Sequence, residues 1–491
     1  MKLYNRRLSK YFLVGALIMI TGGSCTKNFE KINTDPNTPL KVPGNNTLAY
    51  SLVYYAQNIF DATADMNEPE CFGGHLGKIQ YIDEARNVFR PAAIENFWAY
   101  HYNVLNNLQI TINDAIATNK INQQAAALTF KCYVAQIATD TWGDIPYSDA
   151  IKGGSGVITP KYDSQKDVYA AILADLKTAN DLFAKNSAAG GLSDGDVLYS
   201  ADATKWRQFC NSLRLRVAIR LSKKDVATAK ANIEEIAGNP AKFPVMTGNA
   251  DNAFLNWPGG KPYNEPWSSN KYDDGRDDHA VSDVLVNKLL ELNDPRLPVY
   301  AKPATGDGKY RGVGIGIKDS EKLPSIALYS RIGARFRDNK TGFTPFMRAA
   351  EVKFILAEAA ANGWNVGVSA KDAYEAGIDL SLEENGVSNA AYKASAGVKW
   401  DGDVKKIYMQ KWLALFKDGH EAWAETRRTD VPLLPAATGS PYPGHTRTSF
   451  RLPYPNTETT LNGANSGAAV GSIKDNYWGA QMYWDTRTGV N

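Results

Sequence analysis

Histidine and cysteine are scarce in this chain, with five His and four Cys among 491 residues. The histidines, His75, His101, His279, His420 and His445, fall at no HExxH or other ligand spacing, so no metal centre is expected. Cys71, Cys132 and Cys210 form no CxxC pair, and the latter two sit in apolar helical patterns; they read as buried free thiols, with nothing supporting a Cys71 bridge. Charge of one sign is missing too. With 55 basic and 52 acidic side chains the formal net charge is +3, which leaves no electrostatic footprint for nucleic acid. Glycine-rich stretches such as "GGSGV" at 153–157, "GVGIGI" at 312–317 and "GGHLGKI" at 73–79 lack the spacing of a nucleophile elbow, a dinucleotide fingerprint or a P-loop. No cofactor is expected, and no catalytic set stands out.

The apolar run "YFLVGALIMI" follows Lys2, Arg6, Arg7 and Lys10 and spans about ten residues, against the roughly 20 needed to cross a bilayer. It has the form of a secretory signal. Gly22, Gly23 and Ser24 then lead directly into Cys25, the arrangement of a lipoprotein cleavage site, where the thiol is lipidated and becomes the mature N-terminus. Several acyl chains on one residue hold a protein firmly to a membrane. The expectation is a signal peptide over 1–24, a lipidated linker over 25–45 and a single domain over 46–491, in which only the first mature residue is membrane-bound.

Helical periodicity recurs along the domain. Leu105, Leu108, Ile112 and Ile116 share one face of a segment starting near Ile94, and Phe130, Tyr133, Val134 and Ile137 mark the next, which ends at Gly143 before Pro146. Stripes at Val168, Ile172, Leu176 and Phe183, at Trp206, Phe209, Leu213 and Val217, at Val352, Ile355 and Ala359, and at Tyr408, Trp412 and Leu415 continue the pattern, with Gly419 as a break. Paired helices with short turns predict a mainly α fold, a discontinuous scaffold of tetratricopeptide-like helical hairpins, although no clean 34-residue period can be read. The scaffold is expected over 90–238 and 346–430, with loop-rich excursions over 239–345 and 431–491. Excursions of that length in a compact protein are usually functional.

Aromatic residues are plentiful, with 25 Tyr and 11 Trp. The tract "DNAFLNWPGGKPYNEPWSSNKYDDGR", residues 251–276, sets Trp257, Tyr263, Trp267 and Tyr272 in non-helical sequence with Asn264, Asn270 and Asp273 interleaved. Sugar rings stack their C–H faces on such side chains while amides and carboxylates bond the hydroxyls, and peptides suit the same surface. For any single one of these aromatics a ring that pins its loop to the core is the favoured reading, while at least one of the set is expected to contact ligand. "HLGKIQYIDEAR" at 75–86 offers Tyr81, Asp83 and Arg86 as a second candidate. The acidic run "YDDGRDDH" at 272–279 reads as a solvated turn or Asp/Arg knot; it also holds carboxylates enough for glycoside hydrolysis or a calcium ion.

The stretches "FEKINTDPNTP", "ATDTWGDIPYSDAI", "LNDPRLPVYAKP", "RAAEVKFILAEAAANGW", "IYMQKWLALFKDGHEAWAETRRTDVP" and "RLPYPNTETTLN" follow one another across nearly the whole mature chain. In these the sequence resembles the SusD/RagB family of outer-membrane nutrient-binding lipoproteins, in its SusD-like branch. The resemblance implies a right-handed SusD-like α-α superhelix with four tetratricopeptide-like units. It implies an outer-membrane, cell-surface lipoprotein without catalytic activity that captures an oligosaccharide, or sometimes a peptide, and passes it to a SusC-like TonB-dependent outer-membrane transporter. The shared motifs, with Trp142, Trp412, Trp423, Arg427 and Arg428, are expected to hold helices together, the arginines bridging carboxylates such as Glu421 or Glu425. Ligand positions belong to no fixed motif of the family. The aromatic candidates therefore rest on position and chemistry. The other readings are a surface glycoside hydrolase using carboxylates between Asp273 and Asp278, and a purely structural lid of the transporter.

Overall fold

Consecutive helices capped by short polar side chains carry the fold. The computed structural model describes residues 43–185, 190–193, 195–318 and 323–490, and Gly44–Asn491 forms one compact unit. The signal segment and Cys25 lie outside the described residues.

Helix α1 (Gly44–Ile59) packs on α3 (Pro91–Ala117), with the short α2 (Pro69–Phe72) between them in the chain. The run α3, α4 (Ile121–Trp142), α5 (Gln165–Ala184), α6 (Ala203–Arg220) and α7 (Val226–Gly238) then packs each helix against the next. Ser164, Asp202 and Asp225 start α5, α6 and α7 by accepting hydrogen bonds from first-turn N–H groups that have no partner inside the helix. Helix α4 is buried on nearly every side from Ala125 onward, because α3, α5 and α6 surround it. Gly143 ends it at φ 83°, a backbone conformation open to glycine at little cost.

A second run begins at α12 (Ala349–Ala361) and continues through α13 (Ala370–Glu384), α14 (Val404–Ala414) and α15 (Gly419–Thr429). Between the runs the chain forms α8 (Pro266–Tyr272), α9 (Asp283–Glu291), α10 (Leu297–Tyr300) and α11 (Ala334–Arg337), and α16 (Asn456–Leu461) and α17 (Gly463–Gly471) follow the second run. The break before α15 is made by Lys417 at φ 75° and the N-cap Asp418, whereas Gly419 is already the first helical residue. The fold is mainly α, as expected from the stripes. Helix α1 was not among the expected elements.

The two runs meet over buried charge. Arg216 and Arg220 of α6 pair with Glu351 of α12 (2.5 Å) and Glu421 of α15 (2.5 Å). Arg428 bridges Glu358 (2.6 Å) and Glu425 (2.5 Å), and Lys411 of α14 also reaches Glu425 (3.0 Å). These cations hold Glu425 well below the usual carboxylate range against the opposing effect of burial. Arg427 instead donates to the backbone carbonyls of Asp140 (2.8 Å) and Phe450 (2.6 Å), with its guanidinium 3.9 Å from the centre of the Trp423 ring. The indole N–H groups of Trp142, Trp412 and Trp423 donate to the carbonyls of Pro453, Gly73 and Ser449. Cys71, Cys132 and Cys210 are free and buried.

Two small antiparallel ribbons fix the excursions. Strand β1 (Leu76–Lys78) pairs with β3 (His279–Val281), placing Gly77 opposite Ala280 and Lys78 opposite His279. A Cβ on Gly77 would come within 2.7 Å of Val313, so the close approach needs glycine. Strand β2 (Ala253–Asn256) pairs with β4 (Phe343–Met347), immediately before α12. A third ribbon joins β5 (Ile473–Lys474) to β6 (Trp478–Gly479).

Candidate functional site

The β1–β3 register brings the 75–86 tract beside the end of the 251–276 tract. Helix α1 ends near them, and Asp61 there starts a one-turn π-helical segment, Ala62–Met66, by accepting from the N–H groups of Thr63 (2.8 Å) and Ala64 (2.7 Å). Helix α8 forms the facing wall. Glu265 caps it at Trp267 N–H (3.2 Å) and Ser268 N–H (2.8 Å), and buried Lys417 holds Glu265 at 2.7 Å.

Between these walls runs a polar groove of two adjoining lobes, which share Ala62, Thr63, Asn270 and Asp274. The first has a volume of ≈ 280 Å³ and is flanked by Gln57, Asn58 and Asp61 on one side and Asn264 and Ser269 on the other. The second, of ≈ 380 Å³, is bordered by Lys78, Glu84 and Arg90 facing Arg276 and Asp278. Burial raises the Asp61 carboxyl to about 6, even with its two backbone donors and nearby Arg90 favouring the charged form.

The candidate residues divide into three groups. Trp257 and Trp267 are core side chains with no face left for a ligand: the Trp257 indole donates to the Thr344 hydroxyl (3.0 Å), and Trp267 to Asp65 (3.3 Å) beneath Lys417, whose ammonium stands 4.1 Å from the ring centre. Their size explains the difference from the expectation of a stacking surface, since a large apolar ring in a loop packs inward when the core offers room. Trp267 nonetheless shapes the groove, because it ties α8 to the Ala62–Met66 turn. Asn264 is also buried; it braces the loop by accepting from Gly260 N–H (2.7 Å) and donating to Asp273 (2.7 Å), and it lines the first lobe.

The tyrosines are exposed. Tyr81 is 63 % exposed, Tyr263 49 % and Tyr272 47 %. Tyr81 sits at φ 50°, where a side-chain-bearing residue costs on the order of 1 kcal/mol. The guanidinium of Arg276 lies 4.3 Å from its ring centre and is itself fixed by Asp278 at 2.5 Å. Asp83 and Arg86 pair with one another (2.5 Å), and Arg86 also donates to the carbonyl of Gly439 (3.0 Å), so this pair braces the 431–491 excursion.

The acidic run does not converge. Asp273 bonds Asn264 and Ser269 and stands 3.3 Å from Lys261, Asp277 pairs with Arg331 (3.2 Å), and Asp278 with Arg276. Among the described residues no group of three His, Cys, Asp or Glu side chains is placed to hold a metal ion. Gln57, Asn58, Asp61 and Thr63 were absent from the sequence-based candidates, although Leu48, Leu52, Tyr55 and Ile59 at helical spacing mark the helix that delivers them.

A helical-hairpin scaffold carrying a polar surface groove, with exposed tyrosines on the tracts that wall it, is the architecture the chain presents. A family model described as SusD-like, starch-binding associating with outer membrane, matches residues 38–455, and the chain belongs to that family. Among solved structures, a SusD homologue from Bacteroides uniformis is similar with a TM-score of 0.80 and 26 % identity over 91 % of this chain and 100 % of its own. A SusD homologue from Flavobacterium johnsoniae described as chitin-binding has a TM-score of 0.78 and 26 % identity, covering 91 % of this chain and 98 % of its own. A SusD homologue from Bacteroides thetaiotaomicron matches equally well, at 0.78 and 26 %, covering 91 % and 100 %. No curated protein matches the sequence. No helix among the described residues is long and apolar enough to cross a membrane.

Proposed function

We propose that this protein is a cell-surface lipoprotein that captures an oligomeric glycan in the groove between α1 and α8 and delivers it to a TonB-dependent outer-membrane transporter, without catalysis. The observation that carries the reading is the groove itself: two adjoining polar lobes, with exposed Tyr81, Tyr263 and Tyr272 on the tracts that wall them. Such a surface offers ring-stacking and hydroxyl-bonding groups together. Family membership and a similar structure described as chitin-binding support a carbohydrate cargo. Shallow recognition of this kind suits affinities about micromolar, about −8 kcal/mol, from which cargo can be released.

The hydrolase reading draws less support from the acidic run, since Asp273, Asp277 and Asp278 are each within ion-pair distance of a cation, which leaves Asp274 as the one carboxylate of the run outside an ion pair among the described residues. Calorimetric titration with a panel of oligosaccharides and peptides tests capture. Saturable binding without release of new reducing ends is expected; turnover during long incubation would refute the non-catalytic reading, and binding of peptides alone would move the cargo to that class. Cys25 carries the anchor in this proposal, so Cys25→Ser should release the protein from the membrane fraction, and a still-anchored product would contradict lipidation there.

A further inference from the structure

The first lobe of the groove is short of cations. Among the described residues no Lys, Arg or His lines it, while Asp61 and Asp274 both do. Asp61 bonds only its own turn, through the N–H groups of Thr63 and Ala64 and the Thr63 side chain, with the Arg90 charge nearby; Asp274 has a single side-chain contact at 3.5 Å from the Asn270 amide, and among the described residues neither carboxylate stands in an ion pair. The amides beside them point the same way. Asn58 donates one N–H to the Tyr54 carbonyl (2.8 Å) and Gln57 one N–H to the Pro262 carbonyl (3.3 Å), which leaves each side chain its oxygen with both lone pairs and a single remaining N–H for a ligand. The lobe is thus rich in acceptors.

The second lobe does contain cations, but each is already engaged. Lys78 pairs with Glu84 (2.8 Å), Arg90 with Glu68 (2.5 Å) and Arg276 with Asp278 (2.5 Å). A carboxylate or sulfate on an incoming chain would meet the shared wall at Asp274 with no free cation to receive it, and like charges held together in a partly desolvated groove oppose binding. A hydroxyl, an acylamino N–H or an ammonium group would find acceptors.

We infer that the groove selects uncharged or amine-bearing glycan chains and rejects uronic-acid or sulfated ones, with Asp61 and Asp274 as the specificity-determining residues. The inference rests on the capture reading above and names its substrate class.

The test uses the full-length protein in detergent and the neutral polysaccharide that binds best from a panel of glucans, xylan, mannan and chitin oligomers. The same polymer is then offered carboxymethylated, and hydroxyethylated as a neutral control of matched bulk. The native and hydroxyethylated chains are expected to bind within about threefold of each other and the carboxymethylated chain at least about tenfold more weakly. Asp274→Asn, at a groove-lining surface position, should recover most of the lost affinity for the carboxymethylated chain, and Asp61→Asn should add to it where its melting temperature shows an intact cap. Carboxymethylated polymer bound as tightly as the native one, or discrimination unchanged in Asp274→Asn, overturns the inference while leaving capture standing. Tighter binding of polygalacturonate, alginate or a sulfated glycan than of every neutral chain overturns it too. If neither neutral nor anionic chains bind, the capture reading itself falls.

Discussion

The guanidinium of Arg276 lies over the ring of Tyr81, 4.3 Å from its centre, and joins two tracts far apart in the chain at one edge of the groove. The β1–β3 ribbon sets that meeting, and the Asp278 carboxylate keeps the guanidinium in place. One face of Tyr81 is held by the cation; the ring remains largely exposed.

Tyr81→Ala removes an exposed ring that nothing in the core depends on. Glycan affinity should fall about tenfold, about 1.4 kcal/mol, with the melting temperature kept within a degree or two of wild type. Tyr81→Phe should retain most of the binding. Titration calorimetry alongside a thermal scan separates the two effects, and a loss of stability equal to the loss of binding would place Tyr81 in the scaffold instead.

Trp267→Ala predicts the reverse. The ring is fully buried against Asp65 and Lys417, so truncation should cost about 3–5 kcal/mol of stability in denaturant unfolding. Retention of wild-type stability together with loss of ligand binding would restore Trp267 as a stacking residue.

How much of this was legible beforehand differs between frame and site. Helices α3, α5 and α6 announce themselves through their apolar stripes, and the stretch around Trp423, Arg427 and Arg428 is legible as a shared family motif. Arg428 bridges Glu425, a partner expected from the family resemblance, but its second partner Glu358 could not be read, because the two come together only when α15 meets α12. Trp257 and Trp267 illustrate the opposite difficulty: a tract rich in aromatics and amides shows what chemistry is available but not which rings turn inward. Asn58 and Asp61, which line one side of the first lobe, carry no aromatic signal, and their partners across the groove lie in sequence so distant that only the β1–β3 and α1–α8 placement brings them together.

The buried charges make a third prediction. Glu358 neutralises Arg428 inside the scaffold, so Glu358→Gln leaves the guanidinium with one carboxylate partner and should cost about 3–5 kcal/mol. Denaturant midpoints of Glu358→Gln, of Arg428→Met and of the double variant would show it. The double variant should be less destabilised than the sum of the single ones, and strict additivity would mean that the pair does not interact.

The buried histidines set a pH dependence. Burial holds His101 down to about 3 and His420 down to about 4, against 6.5 for the ordinary group. Below pH 6.5 the unfolded chain binds protons that the folded one refuses, so their stabilising contribution is complete above pH 6.5 and is lost as pH falls toward those folded values. Asp61 and Asp418, raised by burial to about 6 and about 7, act in the opposite sense over the carboxylate range. Comparison of wild type with His420→Gln isolates one group: the variant should be less stable at pH 7.5, and the gap should narrow as pH falls to about 4, at roughly 1.4 kcal/mol per pH unit at most. A gap independent of pH would contradict a neutral buried His420.

The measurement that bears most directly on the groove is hydrogen–deuterium exchange of the protein with and without a saturating bound oligosaccharide. The account predicts protection concentrated in 57–66, 76–90 and 262–279, the segments that wall the two lobes. Saturable binding with protection elsewhere, for example around Leu292, Met409 and Leu433 where a separate ≈ 460 Å³ cavity lies, would contradict it.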